Sequence, residues 1–218
     1  MKNSVTTFIA SMVFVSVSWF ILFSGATEFS LFVTTNHFWL GISCVTALML
    51  VLMWFVYGDN LRPLLRSSKH SLGTELRTGM IHGLLLAGVS IAGLYLVTEY
   101  IPELRANVEK ILALRVQLSP WLSAIVLIFL IAPAEEIFWR GYVLDFAGQR
   151  FSTRTSLVFM AAADAIVHIT TGNVMLVVAA GTLGLVWGLL RRSTGTVLPC
   201  IISHAVWDIC VFLVYPLL

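Results

Sequence analysis

Long apolar runs, broken by short clusters of charge, dominate the chain. No charged residue lies between Lys2-Asn3 and Glu28. That run exceeds the apolar core of a cleaved signal peptide, roughly 7–15 residues, and is long enough to span a bilayer, so it predicts a first helix that stays. A second charge-free run extends from Phe29 to Gly58 and spans best from about His37 onward. Asp59 to Arg77, with Arg62, Arg66, Lys69 and Arg77, reads as a basic loop, and Gly79 to Thr98 as a third span. Glu99 to Arg115 is polar, but Leu104, Val108, Ile111 and Leu112 recur at helical spacing, which predicts a short amphipathic surface helix. Ser119-Pro120 opens a long apolar helix that continues through Glu135 and Arg140 to Phe146. Beyond the basic turn Gly148–Arg154, Thr155–Ile169 and Val174–Leu190 are two further spans joined by Thr170–Asn173. After Arg191–Gly195, Thr196–Leu218 is the last, with Pro199 in its first turn, where proline is tolerated.

The expected fold is therefore an all-α polytopic membrane bundle of about seven to eight transmembrane helices. Composition agrees: 59% of the 218 residues are hydrophobic and 11% charged, against about 25% charged in a soluble domain. With no basic patch interleaved with aromatics and no glycine-rich phosphate loop, nucleic acid and nucleotide partners have no support; membrane lipid is the expected surround. Cys44, Cys200 and Cys210 all lie in apolar runs and form no CxxC, so they read as small core residues. With seven spans, Lys2, the Arg62–Arg77 loop, Arg150/Arg154 and Arg191/Arg192 share one side. The loops at Glu28 and Thr170–Asn173 lack Lys and Arg, and Glu99–Arg115 balances three of each sign, on the other side. The positive-inside rule then puts the amino terminus and basic loops in the cytoplasm. A compact chain with short loops fits a bacterial plasma membrane.

The polar residues inside the spans carry the candidate chemistry. An ionised group at the centre of a membrane helix costs on the order of 3 kcal/mol even on a lenient scale, yet the last half of the chain holds Glu135, Glu136, Arg140, Asp164, His168, His204 and Asp208. The early spans offer only His82, read as structural. Glu136/Arg140, Asp164/His168 and His204/Asp208 are each i,i+4 pairs whose side chains can meet on one helical face. Glu135, roughly 100° round from Glu136, is left to face another helix, where the two histidines are the candidates. At about 1.5 Å per residue, Glu135 lies roughly 20 Å from Arg150 and His168 about 20 Å from Arg154, with His204 slightly nearer Arg192. Counting thus levels the three in the cytoplasmic-to-middle part of the bilayer.

The four carboxylates and Arg140 sum to −3 with neutral histidines and −1 with both protonated. A buried cluster of that charge must protonate, admit water or hold a cation. Proton-active and divalent-metal sites both remain open, as do helix clamping and proton-coupled transport, although paired interrupted helices in two halves are not seen. A glutamate desolvated by the bilayer can take a proton from water, and the resulting hydroxide-like nucleophile can attack a peptide carbonyl. A nearby histidine can share that proton, while His204, with a protonated Asp208, can donate to the oxyanion. Ser203 abuts His204 but points elsewhere on its helix, and neither GxSxG nor HExxH occurs.

These residues resemble the motifs of the membrane-embedded glutamic endopeptidases grouped as CAAX proteases and bacteriocin-processing enzymes (the CPBP family), which include the type II CAAX prenyl endopeptidase. EExxxR is matched by Glu135-Glu136-Ile137-Phe138-Trp139-Arg140, and His-xxx-Asn/Asp by His204-Ala205-Val206-Trp207-Asp208, led in by Thr194-Gly195-Thr196-Val197-Leu198-Pro199. The Phe-xxx-His motif is matched at His168 only, because Asp164 stands where phenylalanine is usual. The resemblance covers about 119–210 of a single membrane domain, 1–218, whose residues 1–118 match only as generic spans. It implies Glu135 as the base that activates water, His168 as its assistant, His204 and Asp208 on the oxyanion side, and Glu136 and Arg140, with Asp164 beside them, shaping the site. It implies no metal or other cofactor and a peptide or protein substrate, with lipidated tails among the candidates, cut at a site open to the cytoplasm. The family also includes members without shown protease activity that act in bacteriocin self-immunity or as membrane scaffolds. A metalloprotease using Glu135, His168 and His204 as ligands is the other enzymatic alternative.

Overall fold

The structure, a computed structural model, describes residues 5–23, 38–66 and 70–215. Among them are eight helices and no strand: α1 Val5–Phe23, α2 Phe38–Leu65, α3 Leu72–Tyr100, α4 Pro102–Ala113, α5 Pro120–Gly148, α6 Thr153–Ile169, α7 Val174–Thr194 and α8 Leu198–Val214. Five of these, α1, α2, α3, α5 and α7, are long and apolar enough to cross a membrane, which makes the chain a multi-pass membrane protein. The expected seven to eight spans are reduced on this measure because α6 and α8 have 17 residues each. At 1.5 Å per residue, that is about 26 Å against a hydrocarbon core of about 30 Å. Lys2, Glu28, Lys69 and the last three residues of the final expected span lie outside the described residues.

Helix ends follow local chemistry. Ser71 caps α3 by accepting from the Thr74 N–H at 3.1 Å, so this helix begins seven residues before the expected Gly79, and Glu75 and Arg77 are helical rather than part of a loop. Asn173 caps α7 through the N–H groups of Met175 and Leu176. That helix stops at Gly195, whose φ of +79° suits glycine and whose N–H returns to Arg191.

Apolar on all sides, the helices are sorted by where small or aromatic residues allow close approach. Along α1, Phe8, Ser11, Val15, Trp19 and Leu22 face inward while Ile9, Val13, Val17 and Phe20 face out. The buried face of α3 is Glu75, Gly79, Gly83 and Ala87, one position every four residues. Gly79 and Gly83 bring it against the backbone of α8: a Cβ on Gly83 would lie 2.7 Å from the Ser203 carbonyl oxygen, and one on Gly79 2.7 Å from that of Pro199. The α6–α7 pair is built likewise, with Gly184 on Ala161 and Gly188 on Leu157 and Met160, as expected where packing rather than the hydrophobic effect joins membrane helices.

At the centre lies α5, buried on every side from Glu136 to Leu144. Two stretches widen to π-helical turns, Leu127–Ile131 and Ile137–Val143, flanking the α-helical segment that holds both glutamates. Pro133 gives the first a cause. It has no N–H for the turn below, and its ring would crowd the carbonyl of Phe129 in a regular helix, a conflict that a wide turn relieves.

Candidate active site

Arg140 is the hub. Its Nη1 lies 3.2 Å from Glu136 Oε1 on its own helix and 3.4 Å from Asp164 Oδ2 on α6, and the guanidinium carbon sits 5.1 Å from the centre of the Trp187 ring on α7. Arg140, Glu136 and Asp164 are all at most 3% exposed. Each carboxylate in turn holds a histidine. Glu136 Oε1 is 2.8 Å from His204 Nδ1 on α8, while Asp164 Oδ1 is 3.4 Å from His168 Nδ1. The i,i+4 spacing anticipated Glu136–Arg140 and Asp164–His168; it did not anticipate that Glu136 also takes His204 or that Arg140 reaches across to Asp164.

The ring of His168 has a defined tautomer. Nδ1 lies 2.9 Å from the Asp164 carbonyl oxygen, an acceptor only, so Nδ1 carries a hydrogen. The indole Nε1–H of Trp19, a donor only, points at His168 Nε2 from 3.2 Å, so that nitrogen presents its lone pair. His204 is stacked on Trp187 with ring centres 4.2 Å apart, and its Nε2 lies 3.6 Å from Asp208 Oδ2, an ion-pair rather than a hydrogen-bond distance. Trp187 is fixed in turn by donating to Ser203 Oγ at 2.9 Å, and His82 Nδ1 joins the same hydroxyl at 2.8 Å. Ser203 is thus fully buried and committed to holding neighbours.

Glu135, partly buried, faces a cavity of about 450 Å³ together with His168, His204, Asp208, Asp164 and Arg140. Both histidines are its electrostatic neighbours, with Asp164 and Glu136. Of the seven candidate residues, all but Glu136, which is engaged by Arg140 and His204, therefore line one space. The rest of its wall is largely apolar, from Trp19, Phe38 and Trp39 to Leu183 and Phe212. Among the described residues, no three His, Cys, Asp or Glu side chains are grouped to hold a metal ion. Trp19 and Trp187 went unnoticed in the sequence: an aromatic in an apolar helix carries no periodic signal, and only the ring nitrogen's partner shows its use.

His168 lies in the last turn of α6, beside Thr170–Asn173, and the cavity extends from there to Val108, Ile111 and Leu112 of α4. Along α7 its lining runs from Met175 to Trp187, one turn before Arg191.

A membrane bundle with a buried, Arg-centred carboxylate–histidine cluster beside an apolar cavity belongs to the class of intramembrane proteins built around polar chemistry. More specifically, residues 117–210 match the family described as type II CAAX prenyl endopeptidase Rce1-like, and form a domain of it. The match takes in α5, α6, α7 and α8 through Cys210, with all seven candidate residues; α1 to α4 precede it. Comparison with curated proteins and with solved structures found no match.

Proposed function

We propose that the protein is an intramembrane endopeptidase in which Glu135 activates water, without a metal, to hydrolyse a peptide bond. The carrying observation is that the carboxylate of Glu135 shares a cavity with two histidines whose rings are held by other carboxylates. A water held on Glu135 in the cavity gives its proton to the carboxylate while its oxygen bonds to the substrate carbonyl carbon. The carbonyl oxygen becomes the oxyanion, faced by His204 Nε2–H when that ring is doubly protonated and by Asp208 when protonated. Collapse of the tetrahedral intermediate breaks the C–N bond, and the proton held by Glu135 passes to the leaving amine. Arg140 and Glu136 position His204, and Asp164 positions His168. Membership of residues 117–210 in a family of endopeptidases supports this reading.

The test is cleavage of a quenched peptide library, including lipidated members, by detergent-purified protein with chelator present. Glu135→Gln should lose at least a hundredfold in rate, in keeping with the usual weight of a general base, while eluting and melting like the parent. Full activity in that variant would refute the proposal. Activity abolished by chelator and restored by zinc would point to the metalloprotease alternative. A cellular phenotype that survives both Glu135→Gln and His168→Ala would point to the non-catalytic one.

A further inference from the structure

His82 lies on α3, outside the segment that carries the family match, and is not among the described residues that line the cavity. An ionisable ring at a half-buried position in a membrane helix calls for a use. Its place is closely set. Gly83 lets α3 approach α8 so far that a Cβ there would lie 3.0 Å from the Ser203 Cα. At that approach the neighbouring His82 ring meets Ser203 Oγ, with Nδ1 2.8 Å away.

The hydrogen bonds then run in one direction. The Trp187 indole N–H can only donate, so Ser203 Oγ accepts it at 2.9 Å. Ser203 is fully buried, and among the described residues its hydroxyl has one other hydrogen-bond partner, His82 Nδ1. The hydroxyl hydrogen therefore goes to His82, whose Nδ1 offers its lone pair and whose own hydrogen sits on Nε2. His82 fixes the hydroxyl, and the hydroxyl fixes the indole.

That indole is a platform for two groups of the site. His204 lies on it with ring centres 4.2 Å apart and 22° between the planes, and the Arg140 guanidinium carbon sits 5.1 Å from its centre. An aromatic face attracts a guanidinium and an imidazolium alike. A turn of Trp187 would disturb both, and with them the approach of His204 Nδ1 to Glu136 and of Nε2 to Asp208. A second residue of α3 braces the same platform. Trp207 meets Trp187 edge to face, ring centres 6.0 Å apart, and donates to Ser90 Oγ at 2.9 Å.

We infer that His82 is a positioning residue for His204, acting through Ser203 and Trp187, so that α3 completes a site whose seven candidate residues all lie within 117–210. The effect on cleavage rests on the endopeptidase reading above; the effect on His204 does not.

His82→Phe keeps a ring in place and removes the acceptor, whereas His82→Asn restores an acceptor near the Nδ1 position. In the detergent-purified full chain, His82→Phe should lower kcat about tenfold with KM within about twofold, and His82→Asn should recover most of the loss. Trp187→Phe keeps an aromatic face but has no N–H for Ser203. It should show a similar loss, and adding His82→Phe to it should change little. Modification of His204 by diethyl pyrocarbonate, mapped by mass spectrometry against the exposed His70, reads the positioning without any cleavage. Its rate should rise several-fold in His82→Phe and in Trp187→Phe, and return towards the parent's in His82→Asn. An unchanged kcat or unchanged His204 reactivity in His82→Phe, equal losses in His82→Phe and His82→Asn, or additive losses in the double variant would overturn the inference. A parent chain that cuts no peptide would remove the endopeptidase reading, and the reactivity pattern alone would then decide whether His82 holds His204.

Discussion

Arg140→Met removes one cation from between two buried carboxylates while keeping most of the side chain's bulk. Breaking a buried ion pair by deleting one partner costs about 3–5 kcal/mol, because the remaining charge is left uncompensated. Here Glu136 keeps His204 at 2.8 Å and Asp164 keeps His168 at 3.4 Å, so the loss should fall near the lower end, about 3 kcal/mol. For a chain of this length that is a fall in Tm on the order of 10 °C. Unfolding in mixed dodecyl maltoside and SDS micelles, followed through the seven tryptophans, measures it. Because the cluster is shielded, 1 M salt should change the loss little. The sharper test is a double-mutant cycle with Asp164→Leu, whose partner would then already be missing. The double variant should be at least about 1 kcal/mol more stable than the sum of the singles implies. A loss below about 1 kcal/mol for Arg140→Met, or additivity within about 0.5 kcal/mol in the cycle, would refute the view of Arg140 as the hub.

Trp19→Phe keeps the ring and removes the donor to His168 Nε2, so it should cost about 1 kcal/mol and speed modification of His168 by diethyl pyrocarbonate several-fold; an unchanged rate, mapped by mass spectrometry, would count against the assigned tautomer. Gly83→Ala should destabilise by about 1–3 kcal/mol through overpacking against the Ser203 backbone, whereas Gly88→Ala, with nothing within 4 Å of its new Cβ, should be neutral or stabilising by up to about 1 kcal/mol. Equal melting of the two variants would refute the close α3–α8 approach. Ser203→Ala strands the Trp187 indole N–H and should cost about 1–3 kcal/mol, with a change in tryptophan fluorescence and, if His204 loses its stacking platform, a lower rate of cleavage.

The helical spans and the candidate residues were legible in the sequence because both rest on local rules. Apolar runs declare membrane helices, and ionisable groups within them stand out against a high desolvation cost. The i,i+4 spacing named partners inside each helix. What was not legible is what depends on how helices rotate against each other: that His204 turns its Nδ1 to Glu136, that Asp164 reaches Arg140, and that Trp19 covers His168. Counting from the basic turns gave distances along each helix but no sense of where the space between helices would lie; α4, legible as an amphipathic helix, gave no hint that it bounds the cavity. The early start of α3 was missed because Glu75 and Arg77 read as loop, whereas Glu75 is buried and accepts from Thr196 at 2.9 Å.

The pairing of Glu136, Asp164 and Asp208 within their own helices has a consequence for biogenesis. A helix that enters lipid before its neighbours arrive must carry its own counter-charge. Glu136 can meet Arg140, Asp164 can meet His168, and His204 can meet Asp208 without any help from another segment. Each segment can therefore leave the insertion machinery nearly neutral, with Glu135 the exception, and add a cross-helix partner to the local one only when the bundle closes. On this view the last step of assembly is the gain of cross-helix ion pairs, and the polar centre is completed at the moment the helices lock.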